Sequence, residues 1–340
     1  MTLSQVARQD GMAIGIIGFS APAAALALTF DLWHEYLDQV IFGGKSLREE
    51  IADRLGKHSF PPDVASLRVD LAAVRSLITA TADFTPAQEA AILAALAEAG
   101  FDPARKIRFR SSTNVEDTEL FTGAGLYDSY SGCLADELDG DSLGPSQCDP
   151  AEPAERGVFR ALRKVYASFY NENAFIERRR FDIREADVGM AVLVHHSYPD
   201  EFEMANGVAT LEIARTNGSR TVAARLVTQA GAASVTNPDP GQSPEIVDAG
   251  YTNAPGAAVL TVTQFSGLVT NDSPVLVWET EYRALLGLLD AGALAYEDYF
   301  ASPVSLTLDF EYKKEAPGNL SVKQMRRIPR PERVPPPVIE

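Results

Sequence analysis

Apolar residues in the first third of the chain recur at helical spacing and predict a mainly helical lead-in. Between residues 29 and 80, apolar side chains return every three or four positions, which is the pattern of helices with one buried face. The best-marked helix follows Thr85, which can cap it, because Pro86 suits a first turn and Gln88 completes a capping box. Gly100 is typical of a helix end. We interpret these helices as scaffold.

Beyond Gly100 the apolar pattern changes from helical spacing to strand alternation. Apolar and basic residues alternate from Ile107 to Arg110, and near the end of the chain two alternating runs flank a turn at residues 317–319, which predicts a hairpin. The predicted fold class is therefore α/β (α+β). The other predicted elements are a helix through residues 158–169, sheet strands at residues 188–194 and 208–214, and an exposed acidic loop at residues 135–155.

The composition is that of a soluble globular protein with a strong negative charge. The chain has 340 residues, of which 46% are apolar, enough for a sizeable core, and its formal net charge is -17. Such a charge repels a phosphate backbone, and Lys and Arg form no run outside Arg178–Arg180 and the tail. We therefore expect no nucleic-acid partner and no membrane partner.

The two cysteines and the amino-terminal segment bear on the cellular location. Cys133 and Cys148 form no CxxC pair and have no histidine companions of the zinc-site kind, so we predict free thiols in a reducing cytosol and a cytoplasmic protein. Residues 11–30 carry no charge and include a small-residue run. We interpret this segment as a buried strand and turn. The alternative is a signal peptide, which would make the chain a secreted or periplasmic domain.

The predicted hairpin at the end of the chain carries the first candidate site. A period of two places Asp309 and Glu311 on one face of its first strand, and Gln324 and Arg326 on one face of its second. If the two faces coincide, carboxylate and amide oxygens suit Mg²⁺, and the arginine can neutralise a phosphoryl oxygen. The alternative is a solvated strand face with cross-strand ion pairing.

A second candidate site follows the strand that ends at Arg110. This arginine precedes Ser111, Ser112, Thr113 and Asn114, so a cation and several short donors meet at a chain reversal that can hold phosphate. The alternative is a polar turn or helix cap, with Glu116 and Asp117 at a helix start.

Two further motifs are interpreted as structural. The run Gly43-Gly44-Lys45-Ser46 is similar to the end of a phosphate-binding loop, but the earlier glycine of that motif would fall at Gln39, so we predict a turn between helices. His195 and His196 follow a buried strand without a cysteine nearby, and we do not predict a phosphohistidine at either.

The segment from Arg108 to Asp117 closely resembles the "RSS-x-x-x-ED" signature of the ATP-grasp domain in the phosphoenolpyruvate synthase and pyruvate phosphate dikinase family. The resemblance extends over about residues 105–327. It continues through a glycine-containing loop at residues 121–127, a helix segment at 167–174, an apolar strand at 190–194, an "S-G-V" turn at 205–209, and the closing hairpin with its "D-x-E … L-Q-x-R" pattern.

The resemblance implies a two-lobed, ATP-grasp-type fold with a helical lead-in, and it implies ATP and Mg²⁺ as ligands. The nucleotide is expected in a cleft between the sheet containing Arg110 and the lobe that ends in the hairpin. The expected segments are a lead-in of residues 1–104 that forms part of the first lobe, a nucleotide-binding domain of residues 105–328, and a Pro-rich tail or linker of residues 329–340.

The resemblance also implies roles for single residues. Arg110 would contact nucleotide phosphates, Glu311 and Gln324 would hold Mg²⁺, Asp309 would support that site, and Arg326 would steady the transferring phosphate. Arg110 and Arg326 are therefore the expected catalytic residues. The other expected nucleotide contacts are Ser111, Ser112, Thr113, Glu116, Asp117, Gly123, Val194 and His195.

The implied function is Mg²⁺-dependent phosphoryl transfer from ATP to a histidine or another acceptor on a separate protein or domain. The alternative is a catalytically degenerate module of the same fold that binds a nucleotide or a protein partner. Two departures favour this alternative: the family's phosphate-binding Gly-Gly-Lys segment is not found in register, and Asn173 replaces the usual arginine. His195 also departs from the family pattern, because it replaces the usual glutamine.

Overall fold

The computed structural model describes residues 24–116, 123, 125–141, 143–197, 203–235, 238, 240–300 and 304–328. The described chain divides into two compact units, a first unit that ends at Ser197 and a second unit that begins with Glu203. The described part of the helical lead-in, from residue 24 onward, lies in the first unit. The predicted domain boundaries stay predictions. Asp117, the uncharged segment before residue 24 and the Pro-rich tail lie outside the described residues.

The first unit combines helices with a four-stranded antiparallel sheet in the order β1-β6-β4-β5. Its elements are β1 (Ala25–Leu28), α1 (Phe30–Asp38), β2 (Val40–Phe42), β3 (Lys45–Ser46), α2 (Leu47–Leu55), α3 (Val64–Ser76), a π-helical turn (Leu77–Thr81), α4 (Pro86–Glu98), β4 (Ile107–Thr113), β5 (Tyr130–Gly132), α5 (Leu134–Leu138), α6 (Val158–Ser168), α7 (Glu172–Arg180) and β6 (Met190–His196).

The core of the first unit joins the lead-in helices to the sheet. Trp33 on α1 and Tyr166 on α6 are fully buried, and their rings meet edge to face with centroids 5.0 Å apart. Phe169, at the end of α6, packs against the same tryptophan at 5.1 Å. One apolar cluster contains these rings together with the buried sides of β4 and β6. The interpretation of the lead-in as scaffold agrees with this packing.

Two sequence-predicted local structures are confirmed in the lead-in. Thr85 caps α4, and the Gln88 side chain accepts a hydrogen bond from the Thr85 N–H at 3.0 Å, which completes the predicted capping box. Gly43 and Gly44 have φ of 64° and 78° and form the turn between β2 and β3, which lies between α1 and α2. Because glycine alone adopts such φ values without strain, the glycine pair serves a turn.

The prediction of free thiols is wrong, because Cys133 and Cys148 form a disulfide with Cα atoms 5.7 Å apart. The chain between them folds back through α5 and positive-φ turns at Gly140 and Gly144, which sequence spacing does not reveal. Disulfides persist mainly in oxidising compartments. The predicted cytoplasmic location therefore loses the support drawn from free thiols and stays a prediction.

Most described residues of the acidic loop at 135–155 are exposed, as expected, but the loop begins within the short helix α5 and is held from inside by one buried carboxylate. Asp136 is only 3% exposed, and its carboxylate accepts hydrogen bonds from the backbone N–H groups of Gln147 and Arg156 at 2.7 and 2.8 Å. A buried carboxylate with two backbone donors organises the loop from inside.

Within the described ranges, no helix has the length and apolar character needed to cross a membrane.

The second unit is a six-stranded antiparallel sheet in the order β10-β9-β8-β7-β11-β12, together with one long helix. Burial alternates along β7, β8 and β11, so one sheet face forms a core with the helix and the other face is half-buried or exposed. The elements are β7 (Ala205–Thr216), β8 (Ser219–Ala230), β9 (Glu245–Thr252), β10 (Val259–Gln264), α8 (Thr280–Phe300), β11 (Ser305–Ala316) and β12 (Asn319–Arg327).

The expected "S-G-V" turn at residues 205–209 is instead part of strand β7. Gly207 is needed there for close packing: a Cβ atom added to it would lie 2.1 Å from Cζ of Tyr312. The fully buried Tyr312 ring crosses Gly207 from the neighbouring strand and is hydrogen-bonded with the Thr228 hydroxyl at 2.7 Å. Glycine therefore lets an aromatic side chain cover the strand.

Candidate nucleotide site

The closing hairpin brings the four predicted residues together on one face. Asp309 lies directly opposite Arg326, and Glu311 lies directly opposite Gln324. The intervening Phe310 is fully buried in the core, so the four polar side chains share the opposite face of the sheet. We call this side of the six-stranded sheet the polar face. The predicted hairpin and the predicted coincidence of its two faces are confirmed.

The Asp309–Arg326 pair fixes the arginine on the polar face. Nε and Nη2 of Arg326 both donate to Oδ2 of Asp309, at 2.9 and 2.6 Å. Both side chains are mostly buried, with exposed fractions of 24% and 14% for Arg326 and Asp309. Burial limits solvent screening, so this pair is more than a solvated surface contact. The cross-strand ion pairing of the alternative interpretation is therefore present, but not on a solvated face. Oxygen ligands for a metal come from the neighbouring Glu311–Gln324 pair.

The row of residues across the polar face extends beyond the hairpin. Asp309 is paired with Thr210 on β7, Thr210 with Arg225 on β8, and Arg225 with Asp248 on β9. Nε and Nη2 of Arg225 donate to the two Asp248 oxygens at 2.8 and 3.1 Å, and this hydrogen bonding lowers the pKa of the Asp248 carboxyl. Sequence reasoning missed Arg225 and Asp248, because strand alternation gives their faces but not their partners.

An apolar strip lies beside this charged row. Glu311 is paired with Val208, which is paired with Val227 on β8, and Val227 is paired with Ile246 on β9. The three apolar side chains are half-buried. The polar face therefore offers oxygen ligands, an arginine and an apolar surface side by side. Sites for small molecules that carry both polar groups and an aromatic ring use this combination.

In the first unit, strand β4 divides the predicted phosphate-binding residues between its two faces. Arg110 and Ser112 lie on the same face as Arg108, because they alternate with the fully buried Ile107 and Phe109. Ser111 and Thr113 point to the other side, and Thr113 is buried. The strand therefore presents Arg110 and Ser112 together, and it separates them from the other two hydroxyl residues.

Thr113 and Glu116 form a local cap. The Thr113 N–H donates to the Glu116 carboxylate at 2.8 Å, and the Glu116 N–H donates to the Thr113 hydroxyl at 3.2 Å. Asn114 ties this turn to the start of β6, since its side chain bonds the Asp187 carbonyl at 2.8 Å and the Gly189 N–H at 3.1 Å. These contacts match the predicted alternative of a polar turn or cap for this part of the motif.

The remaining predicted contacts occupy three different settings. Gly123 is buried with φ of 65°, and its carbonyl accepts from the Leu126 N–H at 3.1 Å. Val194 is fully buried in the core, so any contact with a ligand would have to come from its backbone. His195 is paired with Arg108 and shares its face, and Nδ1 of His195 lies 2.7 Å from the His196 carbonyl.

Buried Arg178 anchors the chain after the glycine-containing loop, a role that sequence reasoning missed. Its guanidinium bonds the Glu185 carboxylate at 2.8 and 3.0 Å and the Phe169 carbonyl at 2.9 Å. It also lies 3.7 Å from the centre of the Phe169 ring and bonds the Tyr127 hydroxyl at 3.3 Å. Asn171 adds a bond to the Leu126 carbonyl at 3.3 Å. In the sequence, Arg178 is hidden within a basic run.

One other group of carboxylates in the described part of the chain could approach a cation. Asp139, Asp141 and Glu155 place one oxygen each within 4.8 Å of one another, close to the disulfide loop. Burial and then the neighbouring carboxylates raise the pKa of Glu155. The first two residues are exposed, and exposed acidic groups are common without a bound ion.

Comparison with known proteins gives one family. The family model described as "Pyruvate phosphate dikinase, AMP/ATP-binding domain" matches residues 22–243, which is more than half of the chain. No curated protein matches the chain. The matched range includes Arg110 and the rest of its turn, whereas the hairpin with Glu311 and Gln324 lies beyond it.

Proposed function

Because the chain belongs to the family of pyruvate phosphate dikinase AMP/ATP-binding domains, which supports ATP binding, we propose that it is a Mg²⁺-dependent phosphotransferase of the ATP-grasp type. It would pass a phosphoryl group from ATP to a histidine or another acceptor on a separate protein or domain. The proposed ligands are ATP and Mg²⁺. The two-lobed ATP-grasp arrangement is part of this proposal.

One observation carries the proposal, namely the pairing of Glu311 with Gln324 beside the Asp309–Arg326 ion pair on the polar face. A carboxylate and an amide oxygen are hard ligands that fit Mg²⁺, which fills its other positions with water and phosphate oxygens. The donor set therefore fits the ion. Mg²⁺ bound there would supply charge neutralisation for a polyphosphate.

The residues of the chain would do the positioning and the charge stabilisation. In phosphoryl transfer the protein mainly orients the reactants and stabilises charge on the transferred group. Arg326 is oriented by two hydrogen bonds to one Asp309 oxygen, so its guanidinium needs little reorganisation to meet a phosphoryl oxygen. Arg110, with Ser112 on the same face of β4, would contact the nucleotide phosphates.

Calorimetric titration with a non-hydrolysable ATP analogue, with and without Mg²⁺, tests the proposal. We expect saturable binding that Mg²⁺ strengthens and that Arg110→Ala and Glu311→Ala both weaken. Two matched controls are available, Arg105→Ala before β4 and Glu212→Ala on β7, because both residues are exposed. Neither control should change the affinity. A folded wild-type chain that does not bind the analogue would refute the proposal.

Turnover separates catalysis from the degenerate alternative. Asn173, which replaces an arginine of the resembled motif, is exposed on α7 beside Arg68 and Arg75 in a shallow depression. This substitution favours a module that binds without catalysis. If the wild-type chain binds Mg²⁺ and ATP but releases neither AMP nor phosphate and labels no acceptor in an extract supplied with γ-labelled ATP, the alternative is the better description.

A further inference from the structure

Lys313 lies on the polar face next to the proposed magnesium ligands. Burial alternates along β11, so Lys313 and Glu311 point to the same side while Tyr312 between them is fully buried. Its cross-strand partners are Asn206 on β7 and Ser321 on β12. Nothing in the strand pattern of the sequence distinguishes this lysine from a solvated charge.

The charge of Lys313 is held against the sheet by a carboxylate. Its ammonium forms an ion pair with Glu203, and the exposed fractions of the two side chains are only 14% and 4%. An ammonium group withdrawn from water this far needs a partner, and the carboxylate provides it. The pair therefore keeps a lysine in a defined position where a solvated lysine would be mobile.

The neighbouring Lys314 shows what a structural lysine looks like in the same strand. It points to the opposite face, is 6% exposed, and bonds the Glu281 carboxylate at 2.7 Å. That carboxylate also accepts from the backbone N–H groups of Val277 and Gly318, at 2.8 and 3.0 Å. Lys314 thus closes a core network, whereas Lys313 stands beside oxygen ligands.

We propose that Lys313 binds a phosphate oxygen of the nucleotide, with Glu203 as the partner that holds the ammonium in place before the nucleotide arrives. This inference rests on the proposed function. Residues two apart on one strand face are separated by about 6.5–7 Å, a distance that the four-carbon lysine stem can span. A phosphate held by a cation at Glu311 and Gln324 is therefore within reach of the ammonium.

Lys313 would supply a charge that the family resemblance assigns to a different part of the chain. The resembled Gly-Gly-Lys segment has no counterpart in register, and the one Gly-Gly-Lys string in the sequence is Gly43, Gly44 and Lys45. That lysine forms an exposed ion pair with Asp53 at 2.5 Å, next to a tight turn. Lys45 is therefore the natural control for Lys313.

The test compares binding of a non-hydrolysable Mg²⁺–ATP analogue with binding of adenosine, which has no phosphate. Loss of a charge-assisted hydrogen bond should make Lys313→Met bind the analogue about tenfold to a hundredfold more weakly. Its adenosine affinity should stay unchanged. Lys313→Arg should restore part of the affinity, and Lys45→Met should match the wild type.

Glu203→Gln separates phosphate binding from a purely structural ion pair. The glutamine amide oxygen can still accept a hydrogen bond from the ammonium and keep it in place, while the negative charge that competes with phosphate is gone. The analogue should therefore bind as well as to the wild type or better. The double variant Glu203→Gln with Lys313→Met leaves no unpaired buried charge, so it should stay folded and should bind like Lys313→Met.

Three outcomes would overturn the inference. Lys313→Met could bind the analogue like the wild type, Glu203→Gln could weaken binding as much as Lys313→Met does, or adenosine binding could fall together with analogue binding. Failure of the proposed function is a different result, because the wild-type chain itself would then bind no analogue.

Discussion

Replacing Gly207 with alanine tests the packing that places β7 beside the hairpin. The new Cβ would lie 2.1 Å from Cζ and 2.3 Å from the hydroxyl oxygen of Tyr312, well inside van der Waals contact. Tyr312 is fully buried, so its ring can move only by displacing core neighbours. We expect the ring to be pushed away from Thr228, with loss of their hydrogen bond.

The expected cost follows from two contributions. Overpacking of a well-packed core costs about 1–3 kcal/mol, and loss of the bond between Tyr312 and Thr228 costs about 0.5–1.5 kcal/mol. Gly207→Ala should therefore lower the free energy of unfolding by about 2–4 kcal/mol. Gly250→Ala is the matched control, because Gly250 lies in strand β9 of the same sheet and an added Cβ meets no atom within 4 Å.

Urea unfolding followed by far-ultraviolet circular dichroism measures the difference between the two variants. Gly250→Ala should be neutral or should stabilise the chain by up to about 1 kcal/mol, because alanine restricts the unfolded state. A second variant, Gly207→Ala with Tyr312→Leu, should recover part of the loss by removing the clashing ring. Equal stability of Gly207→Ala and Gly250→Ala would refute the packing argument.

Three further predictions concern the disulfide and two buried charges. Without reductant, no thiol of the unfolded chain should react with iodoacetamide, and two alkylated thiols before reduction would contradict the disulfide. Joint replacement of Cys133 and Cys148 by serine should lower the free energy of unfolding by about 3 kcal/mol, as for a 15-residue loop. Burial raises the pKa of Glu245, so the folded chain holds that proton more tightly, and stability should fall as pH rises above the ordinary value of about 4.3. Thermal unfolding between about pH 4 and 8 should show a smaller fall for Glu245→Gln, and an identical pH slope would contradict the assignment. Arg178→Ala should cost about 2–4 kcal/mol in urea unfolding, because it removes a fully buried guanidinium with its ion pair to the partly exposed Glu185 and its bond to the Phe169 carbonyl. The exposed Arg180→Ala should stay within about 0.5 kcal/mol, and similar losses for both would contradict the anchoring role.

Local signals in the sequence were sufficient for helix ends and for strand faces. The capping box at Thr85 and Gln88 involves residues three positions apart, so it forms from short-range contacts alone. The alternation through Phe310 likewise assigns Asp309 and Glu311 to one face, whatever the rest of the sheet does.

Contacts between distant segments were not predictable in this way. Cys133 and Cys148 meet because the intervening loop folds around buried Asp136, and spacing carries no trace of that fold. Gly207 was assigned to a turn through the resemblance to the family's "S-G-V" segment, yet it serves the ring of Tyr312, more than a hundred residues later in the chain. The ion pair of Lys313 with Glu203 depends on the same kind of long-range register.

The two candidate residue sets rest on different kinds of support, and this difference makes the mutants informative. Arg110 lies within the range matched to the AMP/ATP-binding family, whereas Glu311 lies beyond it and depends on cross-strand register and donor chemistry. If Arg110→Ala loses nucleotide binding and Glu311→Ala does not, the ATP binding expected of the family is retained, and the hairpin has no role in holding the metal. Loss of only the Mg²⁺-dependent part of binding in Glu311→Ala would assign the metal to the hairpin, because an oxygen ligand affects the nucleotide chiefly through its cation. The polar face is therefore a metal site only if removing Glu311 changes the response to Mg²⁺ more than it changes the affinity without Mg²⁺.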